Sequence, residues 1–121
     1  MGVKNVDIRG GKAHQREYVE KAVAWCLKRL GLNTLHTLEL DIRIQHLDDC
    51  CGWCKPLGYS NRSFQVVIGS NQTLRNFIMT LVHEMIHVKQ YARKEWLIDG
   101  EPEAWGSQAI LADELWIGDV L

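Results

Sequence analysis

The sequence lacks a long apolar segment and an excess of charge of either sign. Its longest purely apolar run is far shorter than the ~20 residues that span a bilayer, and its first residues, MGVKNVDIRGGK, contain no apolar signal-peptide core. Fourteen Lys and Arg residues are balanced by fifteen Asp and Glu residues, so the formal net charge is -1. Nucleic-acid binding by phosphate neutralisation needs a basic surplus. We therefore expect a cytoplasmic protein without a membrane partner or a nucleic-acid partner.

Proline is also scarce, and neither glycine nor cysteine is abundant. The chain contains two prolines, ten glycines and four cysteines, whereas 46% of its residues are hydrophobic. This composition excludes collagen-like and disordered chains, and a length of 121 residues fits one domain. Residues 1–13 are polar, include Gly10 and Gly11, and show little apolar periodicity. The sequence therefore predicts a flexible N-terminal arm over 1–13 and a single folded domain over 14–121.

The spacing of apolar residues predicts the secondary structure in the first half of the chain. Apolar positions three and four apart indicate a helix over 14–30. Alternating apolar and polar residues predict a strand over 38–45, and the β-branched and aromatic segment SFQVVI predicts another over 63–68. The irregular stretch between them, 48–61, contains several glycines and cysteines and leaves room for a short strand near 53–59.

Two helices are predicted in the second half of the chain. Ser70 or Asn71 can cap a long helix that runs to about Arg93 and carries a wide apolar stripe. A final helix begins near Asp99 or Glu101 and runs almost to the end of the sequence. The sequence thus predicts the α+β class, with an N-terminal helix, a small three-stranded sheet, a long helix and a C-terminal helix.

The long helix contains the segment HEMIH, in which His83 and His87 lie four residues apart. Their imidazoles project from one helical face about one turn apart, so two nitrogens can reach one zinc ion. Glu84 lies on the same side, where its carboxylate can reach a water molecule held by the metal. The alternative is a pair of surface histidines that touch each other without a metal. The motif and its helical setting favour a zinc site.

A catalytic zinc site takes three protein ligands and keeps one position open for water. The acidic cluster at the start of the final helix, Asp99, Glu101 and Glu103, can supply the third ligand. Glu103 is our first choice because it lies inside the helix, followed by Glu101 and then Asp99. Acidic residues also favour helix N-termini through capping and the helix dipole, and this interpretation is preferred for Asp99 and Glu101.

The pattern HEMIHVKQY followed by EPEAW resembles the gluzincin type of zinc peptidase. The order of helices and strands is similar to that of the compact SprT-like and minigluzincin domains of prokaryotes and their phages. The resemblance implies a minimal zincin-like metallopeptidase domain over 14–121, in which His83, His87 and Glu103 bind Zn²⁺ and Glu84 is the general base. The DNA-linked roles of SprT-like proteins are not implied, because this sequence shows no C-terminal zinc ribbon with paired cysteines.

These residues imply a mechanism, and the resemblance has one departure. Zinc lowers the pKa of its water toward ~7 and polarises the substrate carbonyl, while Glu84 takes a proton and passes it to the leaving amine. Tyr91, one turn after His87, and Tyr59 are candidate donors to the oxyanion, although a packed aromatic role is the simpler interpretation of each. Many gluzincins have an acidic residue four positions after the ligand glutamate to orient a histidine, and that position here is Ser107.

The predicted function is zinc-dependent hydrolysis of peptide bonds in a peptide or protein substrate, with a metal-activated water and Glu84 as the general base. The strand over 63–68 is either an edge that pairs with an extended substrate through main-chain hydrogen bonds or an ordinary core strand. The alternative function is that of a non-catalytic or latent zinc-binding regulatory or interaction protein that retains the zincin fold. Glu84 favours the enzyme because a structural zinc site needs no base beside the metal.

Three cysteines cluster in the irregular stretch: Cys50, Cys51 and Cys54, with His46 nearby. Four potential ligands within nine residues are cramped for a tetrahedral structural site, which takes ligand pairs from separated segments. Reduced thiols, a disulfide and an auxiliary metal site remain as alternatives. A further hypothesis is that one thiolate occupies the open zinc position and keeps the enzyme latent.

Overall fold

The computed structural model describes residues 3–35, 37–58, 61–94 and 101–117, with the backbone alone for residues 3, 4, 101–105, 116 and 117. In this part of the chain, three α-helices and one four-stranded sheet form an α+β fold, as predicted. None of these helices combines the length and the hydrophobicity needed to cross a bilayer. In chain order the elements are β1 (Val3–Gly10), α1 (Ala13–Arg29), a 3-10 helix (Leu32–Thr34), β2 (Thr37–Gln45), β3 (Gly52–Pro56), β4 (Ser63–Gly69), α2 (Leu74–Ala92) and α3 (Glu101–Ile117).

The sheet has the strand order β1-β2-β4-β3. β1, β2 and β4 run parallel, whereas β3 pairs antiparallel with β4 and forms an edge of the sheet. The prediction of three strands is wrong because it omits β1. The strand predicted over 63–68 is β4, which lies between β2 and β3. Both edges of β4 are therefore occupied by neighbouring strands, and the hypothesis that this strand pairs with a substrate is wrong.

The flexible arm predicted over 1–13 is wrong for residues 3–10, which form β1. This strand pairs with β2 along its whole length. Main-chain hydrogen bonds order it, and these bonds do not depend on the side-chain pattern from which strands are predicted. Gly10 has a φ of +86°, and a Cβ atom there would lie 2.2 Å from the carbonyl oxygen of Ile44. The glycine that suggested mobility thus forms a tight turn between β1 and α1.

The helices cover one face of the sheet. Alternate residues of β2 are buried, from Leu38 to Ile44, whereas Glu39 and Arg43 are exposed on the opposite face. The buried side chains of β2 and β4 form one hydrophobic core with residues of α1 and α2. α3 packs on α2 and adds further apolar side chains to this core. α2 therefore lies between the sheet and α3.

α2 begins later than the sequence predicts. Its N-cap is Thr73 rather than Ser70 or Asn71, and the Thr73 hydroxyl accepts a hydrogen bond from the N–H of Asn76 at 3.3 Å. The Asn71 side chain instead bonds both main-chain groups of Leu47, at distances of 3.1 Å and 3.0 Å. These two hydrogen bonds connect the loop that follows β2 to the segment before α2.

Candidate metal centre

α2 is buried on almost all sides around its two histidines. Every residue from Leu81 to Val88 is buried, because the sheet packs against one side of the helix and α3 against another. His83, Glu84 and His87 are the polar residues of this stretch, with exposed fractions of 8%, 5% and 5%. Buried polar side chains need partners, so the contacts of these three residues define what the site can bind.

The two imidazoles meet edge to face. Their ring planes cross at 85°, their centroids are 4.7 Å apart, and their Nε2 atoms are separated by 3.1 Å. A carboxylate oxygen of Glu84 completes a group whose potential ligand atoms all lie within 4.8 Å of one another. The structure therefore brings together the three residues of the predicted motif, His83, Glu84 and His87.

Two glutamines determine which nitrogen of each histidine carries the proton. Nδ1 of His83 lies 2.8 Å from Oε1 of Gln108, and Nδ1 of His87 lies 2.8 Å from Oε1 of Gln90. An amide oxygen only accepts hydrogen bonds, so each Nδ1 donates and each Nε2 of a neutral ring keeps its lone pair. Two acceptor nitrogens 3.1 Å apart repel each other unless a proton or a metal cation lies between them.

The separation of the two Nε2 atoms fits two ligands of one zinc ion. No family model, curated protein or solved structure matches this chain. Tetrahedral zinc with nitrogen ligands at about 2.0–2.1 Å places two such nitrogens ~3.3 Å apart, close to the 3.1 Å between the two Nε2 atoms. His83 and His87 can hold this ion, with the carboxylate of Glu84 beside it.

A cleft of about 560 Å³ opens onto the three residues. Its walls come from β3, from the segment before β3, from one side of α2 and from Gln108 of α3. Tyr91 lines the same cleft one turn beyond His87. The pKa of Tyr91 is raised, first by partial burial and second by an electrostatic interaction with Cys54. Its hydroxyl group therefore remains protonated at neutral pH and can donate a hydrogen bond into the cleft.

β3 passes very close to α2 at Gly52. A Cβ atom at this position would lie 2.6 Å from the Val67 carbonyl oxygen, 2.7 Å from Cγ2 of Thr80 and 3.6 Å from Oε2 of Glu84. Only glycine fits this space. The missing side chain brings the edge strand alongside the Glu84 carboxylate. Sequence analysis did not anticipate this contact, although a glycine within a strand is a known signal of a close approach.

Replacement of Gly52 by alanine is expected to lower the free energy of unfolding by about 1–3 kcal/mol, because the added methyl group pushes β3 away from α2. Urea denaturation followed by circular dichroism measures this change. Gly106→Ala is the matched control, because nothing lies within 4 Å of a Cβ atom at Gly106, and alanine within a helix adds up to ~1 kcal/mol. Equal changes in the two variants would contradict the close approach.

All four cysteines are free. Of the alternatives for the cluster of Cys50, Cys51 and Cys54, the structure therefore has thiols rather than a disulfide. In the described part of the chain, the metal-ligand group of α2 is the only such group, and no thiol belongs to it. Cys54 packs in the wall of the cleft, where its pKa is raised, first by burial and second by the charge of Glu84. This thiol therefore stays protonated.

Part of the predicted site lies outside the described residues. Asp99 and Tyr59 belong to the segments that the structure does not describe. For Glu101 and Glu103 it describes the helical backbone and not the side chain. The choice of Glu103 as the third metal ligand therefore stays a prediction.

Gln90 and Gln108 are the contacts that sequence analysis missed. Gln90 lies three positions after His87 on α2, and this spacing is a usable signal because residues three apart are neighbours on a helix. Gln108 is a polar residue among the apolar residues of α3, which is a weaker signal. The gluzincin resemblance directed attention to Ser107 as the position of a histidine partner, whereas the next residue, Gln108, bonds His83.

Proposed function

We propose that this chain is a zinc-dependent peptidase with a zincin-like fold, in which His83 and His87 bind the metal and Glu84 is the general base. The proposal is carried by the 3.1 Å approach of two Nε2 atoms whose rings are both held at Nδ1 by amide oxygens. Glu84 adds a buried carboxylate beside this pair, a group that a purely structural metal site does not need. The position of the HExxH segment inside a buried helix supports the same function.

The angular positions of residues around α3 indicate which glutamate is the third zinc ligand. Gln108 contacts His83, and Leu111 and Leu115 of the same helix are buried in the core. Each helical residue advances by about 100°, so position 101 falls within ~20° of Gln108 and position 103 lies ~140° away. This register favours Glu101 over Glu103, which was the first choice from the sequence.

The zinc affinities of two matched variants distinguish these ligands. Glu101→Ala is expected to weaken zinc binding by at least roughly tenfold, because a ligand is lost, and Glu103→Ala is expected to leave the affinity unchanged. Competition with a chromophoric chelator measures both constants. If only Glu103→Ala weakens zinc binding, Glu103 is the third ligand. If neither variant changes the zinc affinity, neither residue is a zinc ligand.

Bound zinc supplies a Lewis acid that makes water nucleophilic near neutral pH and polarises the carbonyl group of the scissile peptide bond. The Glu84 carboxylate accepts a proton from the attacking water and delivers it to the leaving nitrogen, so the carboxylate is regenerated. Tyr91 donates a hydrogen bond to the carbonyl oxygen as negative charge develops there. Gln90 and Gln108 keep the two imidazoles in the orientation that the metal requires.

In the described part of the chain, no strand pairs with the outer edge of β3, and this edge favours a peptide as the substrate. The N–H of Leu57 and the carbonyl of Cys51 bond to β4, so the odd-numbered residues of β3 pair inward. Pairing alternates along an antiparallel strand, and the main-chain groups of Gly52 and Cys54 therefore point to the free edge. A peptide that adds to this edge runs past Glu84. Because such pairing needs an extended chain, the substrate is an unfolded segment rather than a helix.

Cleavage of a library of unstructured peptides by the zinc-loaded chain tests the proposal. We expect the purified protein to hold a single zinc ion and to hydrolyse peptides, and we expect excess chelator to abolish hydrolysis until zinc is restored. A bound zinc ion without any cleavage would favour the non-catalytic zinc-binding protein. Absence of both zinc and cleavage would contradict the proposal.

Gln108→Leu is expected to weaken zinc binding by about 10–100-fold, because His83 loses the acceptor that fixes its tautomer. The measurement is again competition with a chromophoric chelator. Gln108→Glu is the matched control, since glutamate keeps an acceptor oxygen at the same reach, and its zinc affinity should stay close to that of the unmodified chain. An equal loss of zinc affinity in both variants would show that the hydrogen bond to His83 does not determine this affinity.

A further inference from the structure

Two neighbouring cysteines, Cys50 and Cys51, line the cleft and are exposed. The proposed peptidase mechanism uses neither of them. The carbonyl oxygen of Cys51 accepts hydrogen bonds from the N–H of Gly69 at 2.7 Å and from Nε2 of Gln72 at 3.2 Å. These two contacts anchor the main chain of Cys51 at the start of β3, next to Gly52, which lies beside Glu84.

The other two thiols of the chain are unreactive by comparison. Cys26 is fully buried in the core, and burial raises its pKa to about 12. Cys54 packs in the cleft wall with a raised pKa. Since the thiolate is the nucleophile in thiol–disulfide exchange, both side chains are poorly suited to oxidation. Reactivity toward small disulfides is therefore concentrated at the exposed pair, Cys50 and Cys51.

Cys51 has no suitable partner within the chain. Cys54 is three residues away along an extended strand, which separates the two Cα atoms by about 10 Å, beyond the ~7 Å that a disulfide can bridge. Cys50 is adjacent, and the ~3.8 Å between neighbouring Cα atoms is shorter than the usual minimum of ~4.4 Å. Cys26 lies in the core. A disulfide at Cys51 therefore takes its second sulfur atom from another molecule.

We propose that Cys51 is a site of reversible mixed-disulfide formation with a low-molecular-weight disulfide such as oxidised glutathione, and that the adduct closes the cleft. The Cys51 thiolate attacks one sulfur of the disulfide, the original S–S bond breaks, and the second thiol leaves as a thiolate that takes up a proton. The same exchange with an excess of thiol removes the adduct. This regulation rests on the proposed peptidase function, because it acts on access to that site.

The adduct would block the edge on which the substrate adds. A glutathionyl group is itself a tripeptide with two carboxylates, and Cys51 holds it directly before Gly52. The bound tripeptide therefore competes with an extended substrate by its volume.

Treatment of the zinc-loaded full-length protein with oxidised glutathione tests this proposal. We expect peptide mapping by mass spectrometry to find the adduct on Cys51 and not on Cys26 or Cys54. Peptide cleavage should fall at least tenfold and should return after dithiothreitol. Cys51→Ser should keep its own untreated activity in the same treatment, and Cys50→Ser should still be inhibited.

A second measurement does not require turnover. The adduct should slow the removal of zinc by phenanthroline severalfold in the unmodified chain and not in Cys51→Ser. Absence of an adduct on Cys51, an adduct that changes neither cleavage nor zinc removal, or inhibition that persists in Cys51→Ser would overturn the proposal. An untreated chain that binds zinc but cleaves nothing would contradict the peptidase function alone. The rate of zinc removal would then test whether the adduct on Cys51 closes the cleft. A chain that binds no zinc would overturn both.

Discussion

Glu84→Gln is expected to lower peptide cleavage by about 10²–10⁴-fold, the usual contribution of a general base, while zinc remains bound. Glutamine has nearly the same shape as glutamate, so the buried side chain keeps its volume beside His83 and His87. What it loses is the ability to accept a proton from water. The measurement is the turnover number on one peptide substrate, together with the zinc content of the same preparation.

Glu20→Gln is the matched control for this variant. Glu20 is an exposed residue of α1, and its replacement makes the same chemical change at a distance from the cleft. Its cleavage rate should equal that of the unmodified protein. Retention of full cleavage by Glu84→Gln would remove the base from the mechanism, whereas loss of zinc from that variant would reassign Glu84 to metal binding.

Zinc is expected to raise the melting temperature of the protein by roughly 15 °C when its free concentration is about a thousand times the dissociation constant. At that ratio, binding to the folded state alone adds about 4 kcal/mol, and a domain of this size unfolds with an entropy of ~2.1 cal/mol/K per residue. The bound ion would replace the direct contact between the two Nε2 atoms, which are 3.1 Å apart. Differential scanning calorimetry with zinc and with a chelator measures the shift.

Two histidine variants make this result specific. His87→Ala should melt at the same temperature with zinc and with chelator, because one of the converging nitrogens is gone. His46→Ala should keep the full shift, since His46 is exposed and its Nε2 atom contacts Asp48 rather than the cleft. A rise in melting temperature that survives in His87→Ala would mean that zinc binds elsewhere.

The sequence was informative where a signal is local. The helical spacing of His83 and His87 places their rings on one face whatever the rest of the chain does, so their meeting follows from the helix alone. The alternation along β2 was equally clear, because one face of that strand is buried and the other is exposed. Both predictions depend only on the period of the secondary structure.

The sequence was not informative where the signal lies in the partner strand or partner helix. β1 has few apolar residues and is ordered by its main-chain pairing with β2, which no side-chain pattern records. Gln108 reaches His83 only because α3 packs on α2, and that contact joins residues 25 positions apart. The capping of α2 by Thr73 depended on Asn71 being engaged elsewhere, with Leu47.

The order in which the chain leaves the ribosome gives the docking of α3 on α2 a further meaning. The sheet, α1 and α2 all precede α3, so the histidine-bearing helix is synthesised and can collapse onto the sheet first. Gln108, which accepts a hydrogen bond from His83, is synthesised later as part of α3. Orientation of that imidazole is therefore a late step of folding. A nascent chain that stops before residue 108 would bind a metal ion without the hydrogen bond that orients His83.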